Sequence, residues 1–555
     1  MSDKITKTKE SIDFTSFKNQ VLKDYKLACE SREASLLGRK EVLTGKAKFG
    51  IFGDGKELAQ IALSKQFKNG DFRSGYYRDQ TIMLAIEELT IEQYFSGLYG
   101  HTDVEIEPQS AGRQMGGHYA TRNLDDSGNW KNLMTQKNSS SDISPTAGQM
   151  PRLVGLAQAS KVYRSNSNLS GLQKSKKFSD NGNEVAFGTI GDASTSEGPF
   201  WESINAAGVM QIPLVMSVWD DGYGISVPRK YQTTKGSISD ALAGMQRSET
   251  KDGYEIFVTR GWDYPHLCET YEKAVKLARE EHVPVLIHVK EVNQPQGHST
   301  SGSHERYKST ERLQWEKDFD CIEKFKAWIL AFDANGNTIA SLNELEKIQT
   351  DAKQKVRDAK NKSWKLYTKD IHIDLVEACA LLKSLSQISP QKIFIEKEIE
   401  GLEKAYEPIR KDIISTVRKV LRMVSTENNN EKQELANWVK SILNNANNRY
   451  SSHLYSESQE SVLKAEHVPA TYNADAKMED GRIILRENFK KQLEKVPELL
   501  IFGEDAGKIG GVNQSLEGLQ EQFGEERVFD TGIRECTIVG QGIGMAMRGL
   551  RPIAE

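Results

Sequence analysis

The sequence predicts an α/β protein with a three-layer α/β/α arrangement around a parallel sheet, followed by a helical bridge and the start of a second α/β domain. Apolar runs at residues 185–190 and 213–218 flank a stretch with apolar residues at helical spacing. Residues 480–555 repeat this alternation of strand-like and helical stretches. Strand–helix–strand units of this kind form parallel sheets with right-handed crossovers.

Length and composition exclude several classes of protein. A chain of 555 residues is too long for one compact core and predicts two or three domains. With 74 Lys and Arg against 78 Asp and Glu, the net charge of −4 argues against a nucleic-acid partner. The five cysteines lie far apart without a Cys-x-x-Cys pair, which is typical of reduced thiols in an intracellular protein. The first residues lack an apolar signal core and no run has the length of a bilayer span, so we expect a soluble cytoplasmic protein without a membrane partner.

Composition also divides the chain into four regions. Residues 1–45 alternate charged and apolar positions and predict a helical extension on the surface, and residues 46–320 hold the first α/β domain. Residues 321–479 are rich in Lys and Glu with Asn-rich patches, which predicts a helical bridge and a polar linker. Residues 480–555 begin the second α/β domain.

A carboxylate follows each strand of the central unit. Asp192 comes after the first apolar run and Asp221 after the second, and parallel crossovers place both at one edge of the sheet. Hard oxygen ligands bind magnesium at roughly 2.0–2.1 Å and leave positions for phosphate. Residues 193–196 open a helix and offer backbone amides to a diphosphate. Either aspartate alone is more often a cap or turn residue, but the pair at this spacing favours a metal–diphosphate site.

This stretch resembles the thiamine-diphosphate motif, which is Gly-Asp-Gly followed further along the chain by Asn-Asn. In particular it is similar to the alpha half of the thiamine-dependent 2-oxo acid dehydrogenases, and the resemblance therefore implies the thiamine-diphosphate-binding fold. Ala193 stands in place of the third motif residue, and Asp220-Asp221 stands in place of Asn-Asn. The second replacement adds a negative charge beside the expected diphosphate.

The resemblance implies a set of ligands for thiamine diphosphate and Mg²⁺. It makes Asp192 and Asp221 side-chain ligands of the metal and Tyr223 a ligand through its backbone carbonyl. It also makes the loop after the first strand part of the cofactor site, through Gly191, Asp192, Ala193 and Ser194.

Two further segments match cofactor contacts of the family. Tyr77 and Arg78 match a Tyr-Arg pair that contacts the diphosphate, although residue type alone favours a solvated arginine. Ser144 and Thr146 match the place where the family's backbone grips the aminopyrimidine ring. A Ser-Pro helix start explains this second segment equally well.

The loop at residues 297–301, Gly-His-Ser-Thr-Ser, has three interpretations. A nucleophile elbow would need a second glycine that the loop lacks, and a serine-rich surface loop fits the composition. The third is the family's active-site loop, in which His298 meets substrate and cofactor and exchanges protons near neutral pH. We favour the third because the loop follows a predicted strand at 283–292. Ser299 matches a position that is phosphorylated in relatives of the family.

Residues 480–555 resemble the opening of the family's beta half, a pyrimidine-binding, transketolase-like domain. Glu535 matches the glutamate that bonds the pyrimidine ring, and we also assign Glu504 to the cofactor. Because the resemblance predicts a continuing strand beyond Glu555, we expect a fused alpha–beta chain cut off early in its beta half and catalytically silent in this form. The glycines at 540, 542 and 544 form an incomplete dinucleotide loop and instead predict close helix packing.

The resemblance implies oxidative decarboxylation of a 2-oxo acid, with acyl transfer to the lipoyl group of a separate dihydrolipoyl acyltransferase. It also implies a homodimer in which alpha-type and beta-type domains meet across the cofactor. The fused architecture and the loop at 297–301 favour a branched-chain substrate, 3-methyl-2-oxobutanoate. A pyruvate or acetoin dehydrogenase component, a transketolase-like transferase and a non-catalytic helical scaffold are the alternatives.

Overall fold

A computed structural model describes residues 13–300, 302–452, 454–459 and 461–555. Residues 1–12 of the predicted N-terminal extension and Ser301 of the His298 loop lie outside the described residues. The helices are Phe14–Leu43 (α1), Glu57–Ser64 (α2), Gln80–Ala85 (α3), Ile91–Tyr99 (α4), Met150–Ser165 (α5), Ser167–Ser170 (α6), Gly198–Met210 (α7), Ile238–Ala241 (α8), Tyr264–Glu281 (α9), Thr310–Asp318 (α10), Cys321–Ala331 (α11), Leu342–Ile388 (α12), Lys392–Glu403 (α13), Arg410–Met423 (α14), Asn430–Ser451 (α15), Gly481–Lys495 (α16), Leu519–Phe523 (α17) and Glu535–Met547 (α18). The strands are Phe72–Ser74 (β1), Asn138–Ser139 (β2), Ala186–Gly191 (β3), Leu214–Trp219 (β4), Tyr223–Gly224 (β5), Val227–Pro228 (β6), Glu255–Arg260 (β7), Val285–Lys290 (β8), Asp333–Ala334 (β9), Asn337–Thr338 (β10), Leu499–Gly503 (β11), Val528–Asp530 (β12) and Arg551–Ala554 (β13).

The main sheet has six strands in the order β2-β1-β3-β4-β8-β7, and all its pairings are parallel. The two strands predicted around the central helix, β3 and β4, are neighbours, with Gly191 opposite Trp219. Because parallel strands end at one edge, the loops after β1, β2, β3, β4 and β8 open at the same side of the sheet. The prediction that both carboxylate-bearing ends share an edge is confirmed.

A second, three-stranded parallel sheet has the order β12-β11-β13 and forms the core of residues 480–555. This segment packs onto the first α/β domain through helices α18 and α5. Added Cβ atoms at Gly540 and Gly544 would lie 2.2 Å from the side chain of Pro151 and 2.3 Å from the backbone oxygen of Arg152. The prediction of close helix packing is therefore confirmed for Gly540 and Gly544, whereas a Cβ on Gly542 would make only an ordinary contact with Ala554 at 3.5 Å.

Helix α1 forms as the sequence predicts, but the prediction that it lies on the surface is wrong. Val21, Tyr25 and Ala28 are buried, and the helix packs on α2, α3 and α11. Several of its buried residues are polar and find partners, as when Asp24 accepts a hydrogen bond from the hydroxyl of Tyr264 at 2.6 Å. Charges buried in pairs weaken the apolar periodicity that marks a core helix.

The chain forms two compact units, and each is built from separate stretches of sequence. The first contains residues 1–91, 116–356 and 466–555 with both parallel sheets, and the second contains residues 92–115 and 357–465. The second unit is helical, and its core holds apolar side chains from α12 to α15: Leu382, Ile395, Ile399, Ile413, Val417, Val420 and Leu435. The predicted domain boundaries are drawn from composition, and composition does not reveal which helices pack around a shared core. No helix in the described part of the chain is both long and apolar enough to cross a bilayer.

Candidate functional site

A cavity of about 340 Å³ opens at the carboxyl edge of the main sheet. The loops that follow five neighbouring strands contribute to it, as expected for a ligand site in a doubly wound sheet. Ten of the predicted site residues line it: Tyr77, Arg78, Thr146, Gly191, Asp192, Ala193, Ser194, Asp221, Tyr223 and His298. Residues predicted from segments more than 200 positions apart are therefore brought together in one site.

Asp192 lies directly after β3, where its amide donates to the carbonyl oxygen of Trp219 at 3.1 Å. Its side chain is buried, and within the described residues its Oδ2 atom has no hydrogen-bond partner. Burial, followed by the nearby charges of Asp221 and Asp220, holds the pKa of Asp192 well above its usual range. A buried carboxylate oxygen without a partner is a site that favours a cation.

Asp221 follows β4 and faces the same cavity. Its Oδ1 atom accepts a hydrogen bond from the amide of Tyr223 at 3.1 Å, and its carbonyl oxygen accepts one from Arg312 at 2.9 Å. Gly222 between them has a φ of 81°, a conformation that glycine adopts without strain. Asp221 and Tyr223, which flank this turn, both line the cavity.

Asp220 is oriented differently from Asp221. Its Oδ2 atom accepts from Arg229 at 2.7 Å and lies 3.0 Å from His288 Nε2, while His288 Nδ1 lies 2.9 Å from the hydroxyl of Ser239. Burial raises the pKa of Asp220, but the hydrogen bond from His288 and the charge of Arg229 outweigh burial and lower it below its usual value. Asp220 is consequently a paired carboxylate behind the cavity.

The oxygen atoms at this edge fit a hard divalent cation. No group of three or more His, Cys, Asp or Glu side chains that could hold a metal converges in the described chain. Asp192, Asp221 and Tyr223 are among the residues that line the cavity, and an ion held by them would take its other ligands from phosphate or water, as Mg²⁺ commonly does. The chemistry of these donors is compatible with Mg²⁺ bound together with a diphosphate.

Arg78 is buried, so the alternative interpretation of this residue as a solvent-exposed arginine is wrong. Its two terminal nitrogens donate to the carbonyl oxygens of Phe52 at 2.7 Å and His298 at 2.9 Å. An added Cβ on Gly53 would lie 2.2 Å from the carbonyl oxygen of Arg78, so only glycine permits this close approach. The guanidinium thus joins the loop after β1 to the loop after β8.

His298 lines the cavity, but its protonation differs from the sequence expectation. Burial, followed by the positive charges of Arg78 and Lys56, lowers its pKa to about 4. The expectation that His298 titrates near neutral pH is therefore wrong for the chain without bound ligands, in which the ring is uncharged at pH 7. Its neighbour Ser299 is buried, and its carbonyl accepts from Arg39 at 2.9 Å.

The three other predicted residues are not among those that line this cavity. Thr146 lines it, whereas Ser144 is bonded to His118 Nε2 at 3.0 Å and is not among the lining residues. Glu504 after β11 and Glu535 at the start of α18 are also not among the lining residues, and Glu535 is exposed. Their contact with a cofactor stays a prediction.

Lys56 is a cavity residue that the sequence did not single out. It is buried, and its ammonium lies 2.9 Å from Gln294 Oε1, 3.3 Å from the Asn293 carbonyl and 3.9 Å from Asp221 Oδ2. Burial lowers its pKa despite the opposing charge of Asp221. No local pattern distinguishes Lys56 from a lysine in an exposed glycine-rich turn, so only the tertiary structure places it here.

Comparison with known proteins accords with this geometry. Residues 29–371 match the family described as "Dehydrogenase E1 component", and residues 480–555 match "Transketolase, pyrimidine binding domain". The first match covers more than half of the chain. The chain belongs to the dehydrogenase E1 component family. The prediction that an alpha-type half is fused to a beta-type segment is confirmed, as is the predicted fold class.

Individual relatives match the two parts of this E1 chain separately. The 2-oxoisovalerate dehydrogenase subunit alpha of Bacillus subtilis is 27% identical over 290 residues, which is 52% of this chain and 74% of that protein. The beta subunit of the same enzyme is 53% identical over 66 residues, or 12% of this chain and 20% of that protein. The pyruvate dehydrogenase E1 component subunit beta of Acholeplasma laidlawii is 49% identical over 71 residues, or 13% of this chain and 22% of that protein. The chain thus spans about a fifth of the length of the beta subunits it matches.

A solved transketolase from Campylobacter jejuni aligns with 96% of this E1 chain at 13% identity, and the alignment covers 64% of the transketolase chain. Its TM-score of 0.47 is too low to support conclusions about this chain.

Proposed function

We propose that this E1 chain decarboxylates a 2-oxo acid oxidatively and passes the acyl group to the lipoyl group of a dihydrolipoyl acyltransferase. The observation that carries the proposal is the Oδ2 atom of Asp192, which has no hydrogen-bond partner among the described residues and lies with Asp221 and Tyr223 at a cavity on the carboxyl edge of the sheet. Family membership supports the same proposal, because the residues that line this cavity lie within the segment that matches the dehydrogenase E1 component family.

The residues present fit thiamine diphosphate held through Mg²⁺. Asp192, Asp221 and the Tyr223 carbonyl would hold the metal, and the backbone amides at 193–196 together with Tyr77 would receive the diphosphate. When bound, thiamine diphosphate would supply the carbon nucleophile and the electron sink that decarboxylation needs. The protein binds and orients both reactants and keeps water away from them.

Arg78 and His298 have distinct roles in this proposal. Arg78 holds the backbone of His298 at the cavity, so the imidazole faces a ligand from a fixed position. Being neutral at pH 7, His298 can donate a hydrogen bond through one ring nitrogen and accept a proton at the other. An anionic substrate beside it would raise its pKa and favour proton uptake.

Glu535 is exposed outside this cavity, so we propose that it acts on a site completed by a second copy of the chain. A homodimer would then bring the start of α18 of one copy to the cavity of the other. In a chain that carries a complete beta-type domain, Glu535→Gln is expected to leave cofactor affinity nearly unchanged while lowering turnover strongly, since it removes activation and not anchoring. Equal turnover of the variant and the unaltered enzyme would contradict this role.

We propose a branched-chain substrate, 3-methyl-2-oxobutanoate, and a cytoplasmic location. Support for the substrate comes from the 2-oxoisovalerate dehydrogenase alpha subunit, which matches over about half of the chain. A pyruvate-specific component is the second candidate, because the beta-type segment matches pyruvate dehydrogenase beta subunits almost as well.

A panel of 2-oxo acids with an artificial dye acceptor, assayed with a chain that carries a complete beta-type domain, tests the proposal. We expect reduction of the dye to depend on thiamine diphosphate and Mg²⁺ and to be fastest with 3-methyl-2-oxobutanoate. Fastest turnover with pyruvate would favour the second candidate. Activity only with a sugar-phosphate donor would point to a transketolase-like transfer and overturn the proposal.

A further inference from the structure

Three carboxylates lie near one end of the cavity, where Asp192 and Asp221 line it and Asp220 lies behind it. Asp192 and Asp221 follow the neighbouring strands β3 and β4, whose ends Gly191 and Trp219 are paired, and both line the cavity. Like charges brought together in a buried region repel one another unless cations are placed among them. The positions of the surrounding cations therefore show how the site accommodates this charge.

Asp220 has its own counter-charge. Arg229 donates to its Oδ2 atom at 2.7 Å, and His288 lies 3.0 Å from the same atom. A carboxylate paired with a guanidinium at this distance is close to neutral as a unit. The negative charge that remains beside Asp192 is that of Asp221.

Three cationic side chains line the cavity, and two of them are engaged elsewhere. The Lys308 ammonium pairs with Glu316 at 2.8 Å, and the terminal nitrogens of Arg78 donate to two backbone carbonyls. Lys56 is the third, and the carboxylate that its ammonium approaches is Asp221, at 3.9 Å. Its hydrogen bonds to Gln294 and Asn293 fix the ammonium in place without neutralising it.

We infer that Lys56 is a positioning residue that offsets the charge of Asp221, so that a divalent cation and a diphosphate can share the cavity. This inference rests on the proposed function, because it assumes that both ligands bind there. With Lys56 and Asp221 paired, Asp192 contributes the net negative charge of the metal site once a bound cation displaces its proton. Without Lys56, Asp221 would add a second negative charge that faces the diphosphate.

Removal of the Lys56 charge should change the affinities of the site for the divalent cation and for the diphosphate in opposite directions. A more negative site attracts a divalent cation more strongly, whereas it repels an anionic diphosphate. Lys56→Gln keeps a side chain that can bond Gln294 but removes the charge. We expect it to tighten Mn²⁺ binding about tenfold and to weaken thiamine diphosphate binding about tenfold.

The test compares Lys56→Gln, Asp221→Asn and the double variant in the full chain. Mn²⁺ binding is followed by electron paramagnetic resonance without cofactor, and thiamine diphosphate binding by calorimetry at saturating Mg²⁺. Because Asp221→Asn removes the charge that Lys56 offsets, the double variant should recover most of the cofactor affinity lost in Lys56→Gln. A purely structural lysine would not be rescued in this way.

Lys308→Gln is the matched control, because it also removes a buried cavity lysine, but one paired with Glu316. Asp221→Asn should not rescue cofactor binding in that variant.

Unchanged Mn²⁺ affinity in Lys56→Gln, or failure of the double variant to regain cofactor affinity, would overturn the role of Lys56. No Mn²⁺ binding to any of the chains would overturn the metal site and this inference with it. If the unaltered chain binds Mn²⁺ but not thiamine diphosphate, the proposed function fails, while the Mn²⁺ comparison still decides whether Lys56 offsets the charge.

Discussion

Arg78 donates through Nη2 to the carbonyl oxygen of His298 at 2.9 Å. The two residues are 220 positions apart in the chain and lie after β1 and β8, on opposite sides of β3 and β4 in the sheet. Its other terminal nitrogen donates to Phe52 at 2.7 Å, so one planar guanidinium holds three loops at the mouth of the cavity. The position of His298 thus depends on a residue from the loop after the first strand of the chain.

Arg78→Lys is expected to weaken thiamine diphosphate binding even though the charge is kept. An ammonium cannot reproduce the planar fork, and a carbonyl left without its donor costs about 1–3 kcal/mol, or roughly five- to a hundredfold in affinity. Calorimetry measures this loss. Arg260→Lys is the control, because Arg260 is exposed and pairs only loosely with Glu291, at 3.4 Å. Equal affinity in Arg78→Lys and Arg260→Lys would contradict the bridging role of Arg78.

The close packing of α5 and α18 predicts a sharp difference between two neighbouring glycines. A Cβ on Gly544 would lie 2.3 Å from the carbonyl oxygen of Arg152, whereas one on Gly542 would meet Ala554 at an ordinary 3.5 Å. We expect Gly544→Ala to lower stability by about 1–3 kcal/mol, because backbone atoms must move. Gly542→Ala should stabilise α18 by up to about 1 kcal/mol through helix propensity.

Thermal unfolding and limited proteolysis of residues 480–555 distinguish the two glycine variants. Gly544→Ala should expose this segment to cleavage while Gly542→Ala protects it. Similar melting temperatures for both would contradict the tight contact between the helices.

His282 predicts a loss of stability in mild acid. It ends α9 with a φ of 57°, its Nε2 lies 2.9 Å from the Gly182 carbonyl, and burial lowers its pKa from 6.5 to about 4. A histidine held neutral in the folded chain contributes stability that is complete above pH 6.5 and is lost as the pH falls towards 4. His282→Asn, which suits the left-handed cap, should flatten the dependence of melting temperature on pH in this window.

The control for His282 is His467→Asn, because His467 is exposed. Part of the dependence of melting temperature on pH should remain in His282→Asn, since burial lowers the pKa of His298 to a similar value. Parallel curves for His282→Asn and the unaltered chain would contradict this account.

The parts of the site that follow long strands could be predicted from the sequence. Asp192, Asp221 and His298 each come after an apolar run of strand length, and the handedness of crossovers places such ends together. Strand β1 has only three residues and β2 only two, so neither shows an alternating pattern. Arg78 and Thr146, which follow these strands, were assigned through resemblance alone.

Residues whose role depends on distant partners could not be predicted. Lys56 and His288 act on the carboxylates after β4 from separate segments, and nothing in their local sequence marks them as buried. The same holds for α1, in which buried Asp24 and Glu30 pair with Lys65 and Lys355 and weaken the apolar pattern. Which charged side chains pair in a folded core is decided by the tertiary structure and not by the local sequence.

The measurement that tests the central claim most directly is a calorimetric titration of thiamine diphosphate into the 555-residue chain. We compare the unaltered chain in Mg²⁺, the same chain with a chelator, and Asp192→Ala in Mg²⁺. Asp192 carries a buried oxygen without a partner, so its removal should not unfold the protein, and thermal unfolding verifies this. We predict saturable binding that both the chelator and Asp192→Ala abolish. Unchanged affinity in Asp192→Ala, or no binding to the unaltered chain in Mg²⁺, would contradict the assignment of this cavity.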